Sequence, residues 1–160
     1  MAIRLATAAD IIAIHECHDA AILEKASETY NSNIIQGWMS YLNPDKIAKD
    51  QEKLSRSDFL CVVYEEKNMI YGFAMVDYAK NYLNAIYVRQ GAKTKNLGTK
   101  ILDYIKLNAQ SRGVTTLWFE ASVNARDFYV RGGAVSLEET SHTLDTGQTM
   151  PCIKMRLDIT

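Results

Sequence analysis

Between residues 83 and 100 the chain changes character twice. Residues 83–89 (LNAIYVR) read as a strand, a loop with two lysines follows, and a helical pattern opens at Gly98. A strand, a loop and a helix start, in that order, make an anion site. The first N–H groups of a helix have no partner inside it, and the macrodipole adds positive potential at the same end. Phosphate is a natural occupant. The rest of the chain must be compatible with a strand that feeds a helix through this loop.

The 160 residues suit one domain, 1–160, with a sizeable core. A formal net charge of -1 gives no global argument for nucleic acid or a membrane surface. The N-terminal residues lack the charged start and long apolar run of a signal peptide, and no apolar segment approaches membrane-spanning length. Three scattered cysteines, Cys17, Cys61 and Cys152, argue against a disulfide framework. The expectation is a cytoplasmic globular domain.

Residues 3–5 read as a short first strand. Thr7 and Asp10 mark a helix start, after which Ile11, Ile14, His18, Ile22 and Lys25 share one face. A second helix starts near Ser32, and a more polar third covers 45–54. From Phe59 the texture turns β-branched and aromatic. Strands are predicted at 59–64, 70–78 and 82–89, with Gly72 marking a bulge or a close backbone approach. A helix over 98–111 ends at Gly113. A strand over 115–121, a short helix over 124–131 and strands over 135–139 and 152–159 complete the chain, the last two joined by a polar loop, 140–148. This order gives an α/β (α+β) fold: a mixed sheet of about seven strands with helices on both faces.

Three segments resemble the GCN5-related N-acetyltransferase (GNAT) family. Residues 3–14, IRLATAADIIAI, are similar to its opening strand and helix. Residues 85–102, AIYVRQGAKTKNLGTKIL, resemble its strand and pyrophosphate loop, Arg/Gln-x-x-Gly-x-Gly/Ala. Residues 121–135, ASVNARDFYVRGGAV, resemble its Asn-Ala-x-x-Phe-Tyr segment. The resemblance implies acetyl-CoA as co-substrate, a primary amine as acceptor and direct transfer without a metal. Homodimers are common among such proteins.

The loop departs from the pattern. Lys93 stands where Arg or Gln is usual, Asn96 replaces the first glycine and Thr94 another, and only Gly98 remains. Asn enters the left-handed region readily. Thr94 there would cost about 1–3 kcal/mol, so Thr94 keeps negative φ or the loop is reshaped. Lys93, Lys95 and Lys100 offer charge in place of glycine freedom. The missing glycines also motivate an alternative: a catalytically inactive domain of this fold that binds coenzyme A or a protein partner.

The resemblance assigns the coenzyme to residues 86–88 (Ile86, Tyr87, Val88), to Lys93, Thr94, Lys95, Asn96, Leu97, Gly98 and Thr99, and to Asn124 and Phe128. A backbone N–H of Ile86, Tyr87 or Val88 would polarise the thioester carbonyl. Tyr129 matches the tyrosine that protonates the departing thiolate, a role open to a phenol that is neutral near pH 7. No acid lies in 82–89, so Glu120 on the next strand is the candidate base, directly or through water, with Asp77 and Asp145 as other carboxylates. Tyr30, Trp38 and Asp77 are candidates for the acceptor site. His15-Glu16-Cys17-His18 has the residue types of a metal site, but no distant pair of ligands accompanies it.

Overall fold

The computed structural model describes residues 3–160. Its seven strands are β1 (Ile3–Leu5), β2 (Phe59–Glu66), β3 (Met69–Asp77), β4 (Tyr82–Val88), β5 (Thr116–Ser122), β6 (Val135–Thr143) and β7 (Thr149–Asp158). They form one sheet in the order β1-β2-β3-β4-β5-β7-β6, antiparallel except where β4 meets β5. The helices are α1 (Ile11–Lys25), α2 (Ser32–Trp38), α3 (Pro44–Lys53), α4 (Leu97–Ser111) and α5 (Arg126–Arg131).

Two apolar layers place the helices. Ile101, Leu102 and Ile105 of α4 pack on Val62, Ala74, Leu83 and Leu117 on one face of the sheet. Ile11, Ile14 and Cys17 of α1 pack on Cys61, Val63, Phe73 and Met75 on the other. Alternation along β2 and β3 sends successive side chains to opposite layers, which is why both strands read as nearly continuous apolar runs. Gly72 lies under the start of α4, where a Cβ would come 2.8 Å from Ile101 Cδ1. The register also slips beside it, between Tyr64 and Glu65, so both meanings of that glycine hold.

Most element ends fall within one or two residues of the sequence expectation; β7 starts three residues early, at Thr149, and two segments change character. Residues 140–143 are strand rather than loop: Thr140, Ser141, His142 and Thr143 pair with Cys152, Pro151, Met150 and Thr149. β6 is an edge strand exposed along most of its length, so it is polar for the same reason a loop is. The helix expected over 124–131 is a 3-10 turn, Val123–Ala125, followed by α5. Ser122 precedes the turn as its N-cap residue, so Asn124 is not a cap.

Candidate active site

The parallel pair β4 and β5 is registered at one position, Tyr82↔Trp118, backed by the Trp118 N–H donating to the Asn81 carbonyl at 2.9 Å. Beyond it the strands diverge. A bulge helps: Val76 faces Leu83 but Met75 faces Ala85, which leaves Asn84 as the extra residue of β4. A cleft of about 540 Å³ opens at the gap, lined by β4, the first turn of α4, residues 119–122 of β5, and α5.

α4 begins at the cleft, one residue earlier than predicted. Asn96 is its N-cap residue, in the left-handed region at φ 56° and ψ 42°, and its side chain caps nothing. Thr94 keeps negative φ, so the feared strain is absent. The first turn of α4 carries no acid. The N–H groups of Leu97, Gly98 and Thr99 therefore have neither an intrahelical partner nor a side-chain cap, the arrangement that suits an anion. Asn96, Leu97, Gly98 and Thr99 all line the cleft. Gly98 has a packing reason as well: a Cβ there would lie 3.1 Å from Phe128 Cε1.

The preceding loop is braced from behind by two carboxylates. Glu24 of α1 accepts from the Gln90 N–H at 2.8 Å. Glu66, at the end of β2, accepts from Lys93 N–H at 3.0 Å and Thr94 N–H at 3.4 Å, and from the Tyr64 hydroxyl at 2.6 Å. These bonds hold Glu66 below the usual carboxylate range, the tyrosine contributing most. Lys100 donates to the Thr94 hydroxyl at 2.6 Å. Lys93 and Lys95 are exposed, and neither they nor Thr94 line the cleft. The cations that do are Lys25 and Arg131, both exposed at its rim, with partial desolvation lowering the pKa of Lys25. Lys25 had a signal in the sequence, a lysine on the apolar face of α1. Arg131 had none, and neither did Glu66.

Tyr129 projects from α5 between Phe119 and Phe128, with ring centroids 4.6 and 5.1 Å away. The residue is buried and lines the cleft; its hydroxyl makes no hydrogen bond to a described residue, and since no fully buried side-chain polar atom among them lacks a partner, that hydroxyl opens onto the cleft. Burial pushes its pKa above the usual tyrosine range. Asn124 and Phe128 line the same cleft. On β5, Leu117, Phe119 and Ala121 turn toward α4, which leaves Glu120 on the opposite face. Glu120 also lines the cleft, and accepts from the Tyr82 hydroxyl at 3.4 Å. Tyr129 and Glu120 thus approach the gap from opposite sides of the sheet.

On the α1 side a second cavity of about 280 Å³ shares Trp38, Asn84, Ala85 and Tyr87 with the first. The Trp38 indole donates to the Tyr87 hydroxyl at 3.2 Å, and His18 sits edge-on to Tyr87 with centroids 4.6 Å apart. Burial raises Tyr87 to about 12. Tyr30 lines neither cavity; its hydroxyl donates to the Pro151 carbonyl and accepts from Val123 N–H at 2.8 Å. Asp77 also lines neither, and is held by Arg56 at 2.9 Å. Ile86, Tyr87 and Val88 all border the main cleft.

His15 is occupied on both nitrogens, by the Ser40 hydroxyl and by Asp50 at 2.8 Å. Among the described residues no group of three or more His, Cys, Asp or Glu is placed to hold a metal ion. The three cysteines are free and buried, and burial raises their thiols to about 11 or 12. No described helix is long and apolar enough to cross a membrane.

A sheet that parts over an uncapped helix start defines a class, and the comparisons with known proteins name it. The family model for the acetyltransferase (GNAT) domain matches residues 26–155, so the chain belongs to the GNAT acetyltransferase family. The fold is shared with the GCN5-related N-acetyltransferase described as aminotransferase, class-II, from Rhodopseudomonas palustris: TM-score 0.85, 22% identity, 98% of this chain and 94% of the other. It is shared also with the PaiA N-acetyltransferase of Thermoplasma acidophilum in complex with coenzyme A (TM-score 0.72, 16% identity, 98% of each chain). YncA, a putative acetyltransferase of Salmonella typhimurium with acetyl-CoA, has TM-score 0.68 and 20% identity, over 100% of this chain and 94% of the other. No curated protein matches the sequence.

Proposed function

We propose that the chain transfers an acetyl group from acetyl-CoA directly to a primary amine. The observation that carries this is the gap between β4 and β5, where the uncapped start of α4, Tyr129, Glu120 and the second cavity all converge. The pyrophosphate lies on the N–H groups of Leu97, Gly98 and Thr99, with Lys25 and Arg131 as counter-charges. Lys93 and Lys95 add long-range attraction from the loop. The pantetheine arm runs along the free edge of β4, its thioester carbonyl bonded to a backbone N–H among Ile86, Tyr87 and Val88. Asn124 holds the arm from the other side, and Phe128 packs beneath the loop.

The amine enters through the second cavity, past Trp38 and Tyr87. Its nitrogen attacks the carbonyl carbon, and the carbon–sulfur bond breaks. The departing thiolate takes the Tyr129 proton, and the nitrogen's extra proton passes to Glu120 or a water bound to it. Positioning and a fixed oxyanion donor account for most of the rate. The cysteines, protonated and buried, stay outside the reaction. The alternative, an inactive domain of this fold, rests on the missing glycines; Asn96 in the left-handed region takes the place of one of them, and amine-dependent turnover decides between the two readings.

Calorimetric titration with acetyl-CoA and an assay of thiol release against a panel of amines test the proposal. Saturable binding and amine-dependent release are expected. No binding at millimolar coenzyme would end both readings, and binding without release for any amine would leave the inactive domain.

A further inference from the structure

We propose that the second cavity selects an acceptor that carries an anionic group, a carboxylate or phosphate, beside its amine. This rests on the acetyltransferase reading of the main cleft. The two walls of the cavity differ in chemistry. The wall shared with the main cleft is aromatic and neutral, made by Trp38 and Tyr87 with Asn84 and Ala85. The wall from α3 is basic. Lys46, Lys49 and Lys53 all line it, and their i, i+3, i+7 spacing puts them on one stripe of the helix.

The counter-charges around those lysines do not cancel them. Asp50 is the one carboxylate in the lining, against three lysines. It is already engaged by His15 at 2.8 Å and lies 3.7 Å from Lys53. Lys46 pairs with Asp145 at 3.1 Å, but Asp145 is 80% exposed in the hairpin turn after β6, so that pair is solvent-screened. Lys49 has no ion-pair partner among the described residues. His15 and His18 also face the cavity, and neither is negative in any state. An excess of ammonium groups opposite the reacting end repels a polyamine and attracts an amine with an anionic tail. The volume, about 280 Å³, is at the small end of ligand sites and suits a metabolite-sized molecule.

The polarity of the cavity orients such a molecule. Its amine points to the aromatic neck at Tyr87, next to the gap in the sheet, while its anionic group reaches α3. Rings of Trp38, Tyr87 and His18 exclude water around the amine and favour its neutral, attacking form, since desolvation disfavours an ammonium.

Matched probes test this on the protein with coenzyme A present. They are 4-aminobutyrate against butylamine, O-phosphoethanolamine against ethanolamine, and spermidine as a polycation. Binding is followed by ligand-observed NMR, and acetyl transfer by thiol release with acetyl-CoA. At least one anionic member should bind, and be acetylated, at least tenfold better than its neutral partner, with spermidine the weakest of all. Which pair shows the gain tells carboxylate from phosphate. Lys49→Glu combined with Lys53→Glu should abolish the preference, mainly through KM, and Lys49→Gln should reduce it. The inference is overturned if neutral partners bind as well in both pairs, or if the preference survives the double reversal. If anionic amines bind selectively but nothing is acetylated, the acetyltransferase reading fails while the assignment of the cavity stands.

Discussion

Both oxygens of the Glu66 carboxylate accept from the backbone N–H of Lys93, each at 3.0 Å. The end of β2 is thereby tied to the loop that leads into α4. Glycine-rich loops of this kind gain their shape from backbone freedom. Here a carboxylate from another strand holds the shape, and the one left-handed residue at the helix start is Asn96.

The brace has a direct readout. Amide hydrogen exchange at Lys93 and Thr94 should be protected near neutral pH and become fast in Glu66→Ala. The folded carboxyl titrates below its ordinary value, so the brace is fully formed above that value and lost as pH falls through the folded one. Acetyl-CoA affinity in Glu66→Ala should fall several-fold, as the loop must be ordered on binding. Equal protection in the variant would show that the loop is held by something else.

Salt dependence of coenzyme binding should follow the cations inside the cleft. Lys25→Ala and Arg131→Ala are each expected to weaken acetyl-CoA binding by about tenfold, in line with one charge-assisted bond. Lys93→Ala and Lys95→Ala, outside the cleft lining, should act more weakly and mostly at low ionic strength. Titrations at two salt concentrations check this, and larger effects at Lys93 or Lys95 would move the phosphates onto the outer loop.

Two cleft glycines should respond differently to a methyl group. At Gly98 the methyl meets the edge of the Phe128 ring, 3.1 Å away, and helix propensity returns up to about 1 kcal/mol. Gly98→Ala should change stability by less than about 1 kcal/mol while lowering acetyl-CoA affinity through the displaced ring. At Gly132 the methyl would sit 2.4 Å from Leu102 Cδ2 in the core, so Gly132→Ala should cost about 1–3 kcal/mol. Urea denaturation of both variants, with calorimetry for the first, decides the comparison.

Acid should weaken the anchor of the first strand. The Arg4 guanidinium bonds Asp10 at 2.8 and 3.0 Å and, with the Thr7 N–H, holds its carboxyl at about 2. That pKa is below the ordinary 3.8, so the stability it contributes is complete above the ordinary value and is lost as pH falls through about 2. Asp10→Asn should lose about 1–2 kcal/mol at pH 7, less than full linkage because Arg4 is partly exposed. The difference from the parent should shrink in denaturation curves below pH 3. A gap that is constant with pH would assign the loss to the cap at Thr7 instead.

How far the sequence carried the fold depended on how local the cause was. Thr7 and Gly113 act within a few residues, and the elements they bound were readable. Asn96 was readable too, because its tolerance of positive φ is its own. The 140–143 segment was not, since an exposed edge strand and a loop share a composition. The site divided in the same way. Tyr129, Gly98 and Asn124 came from local motifs, and all reach the cleft. Lys25 was marked only by its place on the apolar face of α1, and Arg131 and the α3 lysines reach the cavities only through tertiary packing. Tyr30 and Trp38 were equivalent in sequence. The structure separates them by one hydrogen-bond choice: Tyr30 is spent on backbone groups of β7 and the turn after β5, whereas Trp38 donates to Tyr87 at the cavity wall.

Tyr129 offers the sharpest test of the chemistry, because its ring and its hydroxyl have separable jobs. The ring fills the space between Phe119 and Phe128, and a phenylalanine keeps that packing. The hydroxyl has no partner among the described residues, so removing it leaves no buried group unsatisfied and should change stability by less than about 1 kcal/mol. If the hydroxyl protonates the thiolate, Tyr129→Phe should lower kcat by about 10²–10⁴ while acetyl-CoA affinity stays within a few-fold. Burial raises the phenol above its ordinary range, so the parent should show no loss of its acid form between pH 7 and 9. Substrates with a better leaving thiol should narrow the gap between variant and parent, since they need the proton less. A variant that turns over acetyl-CoA as fast as the parent at every pH would assign thiolate protonation to solvent and leave Tyr129 a packing role.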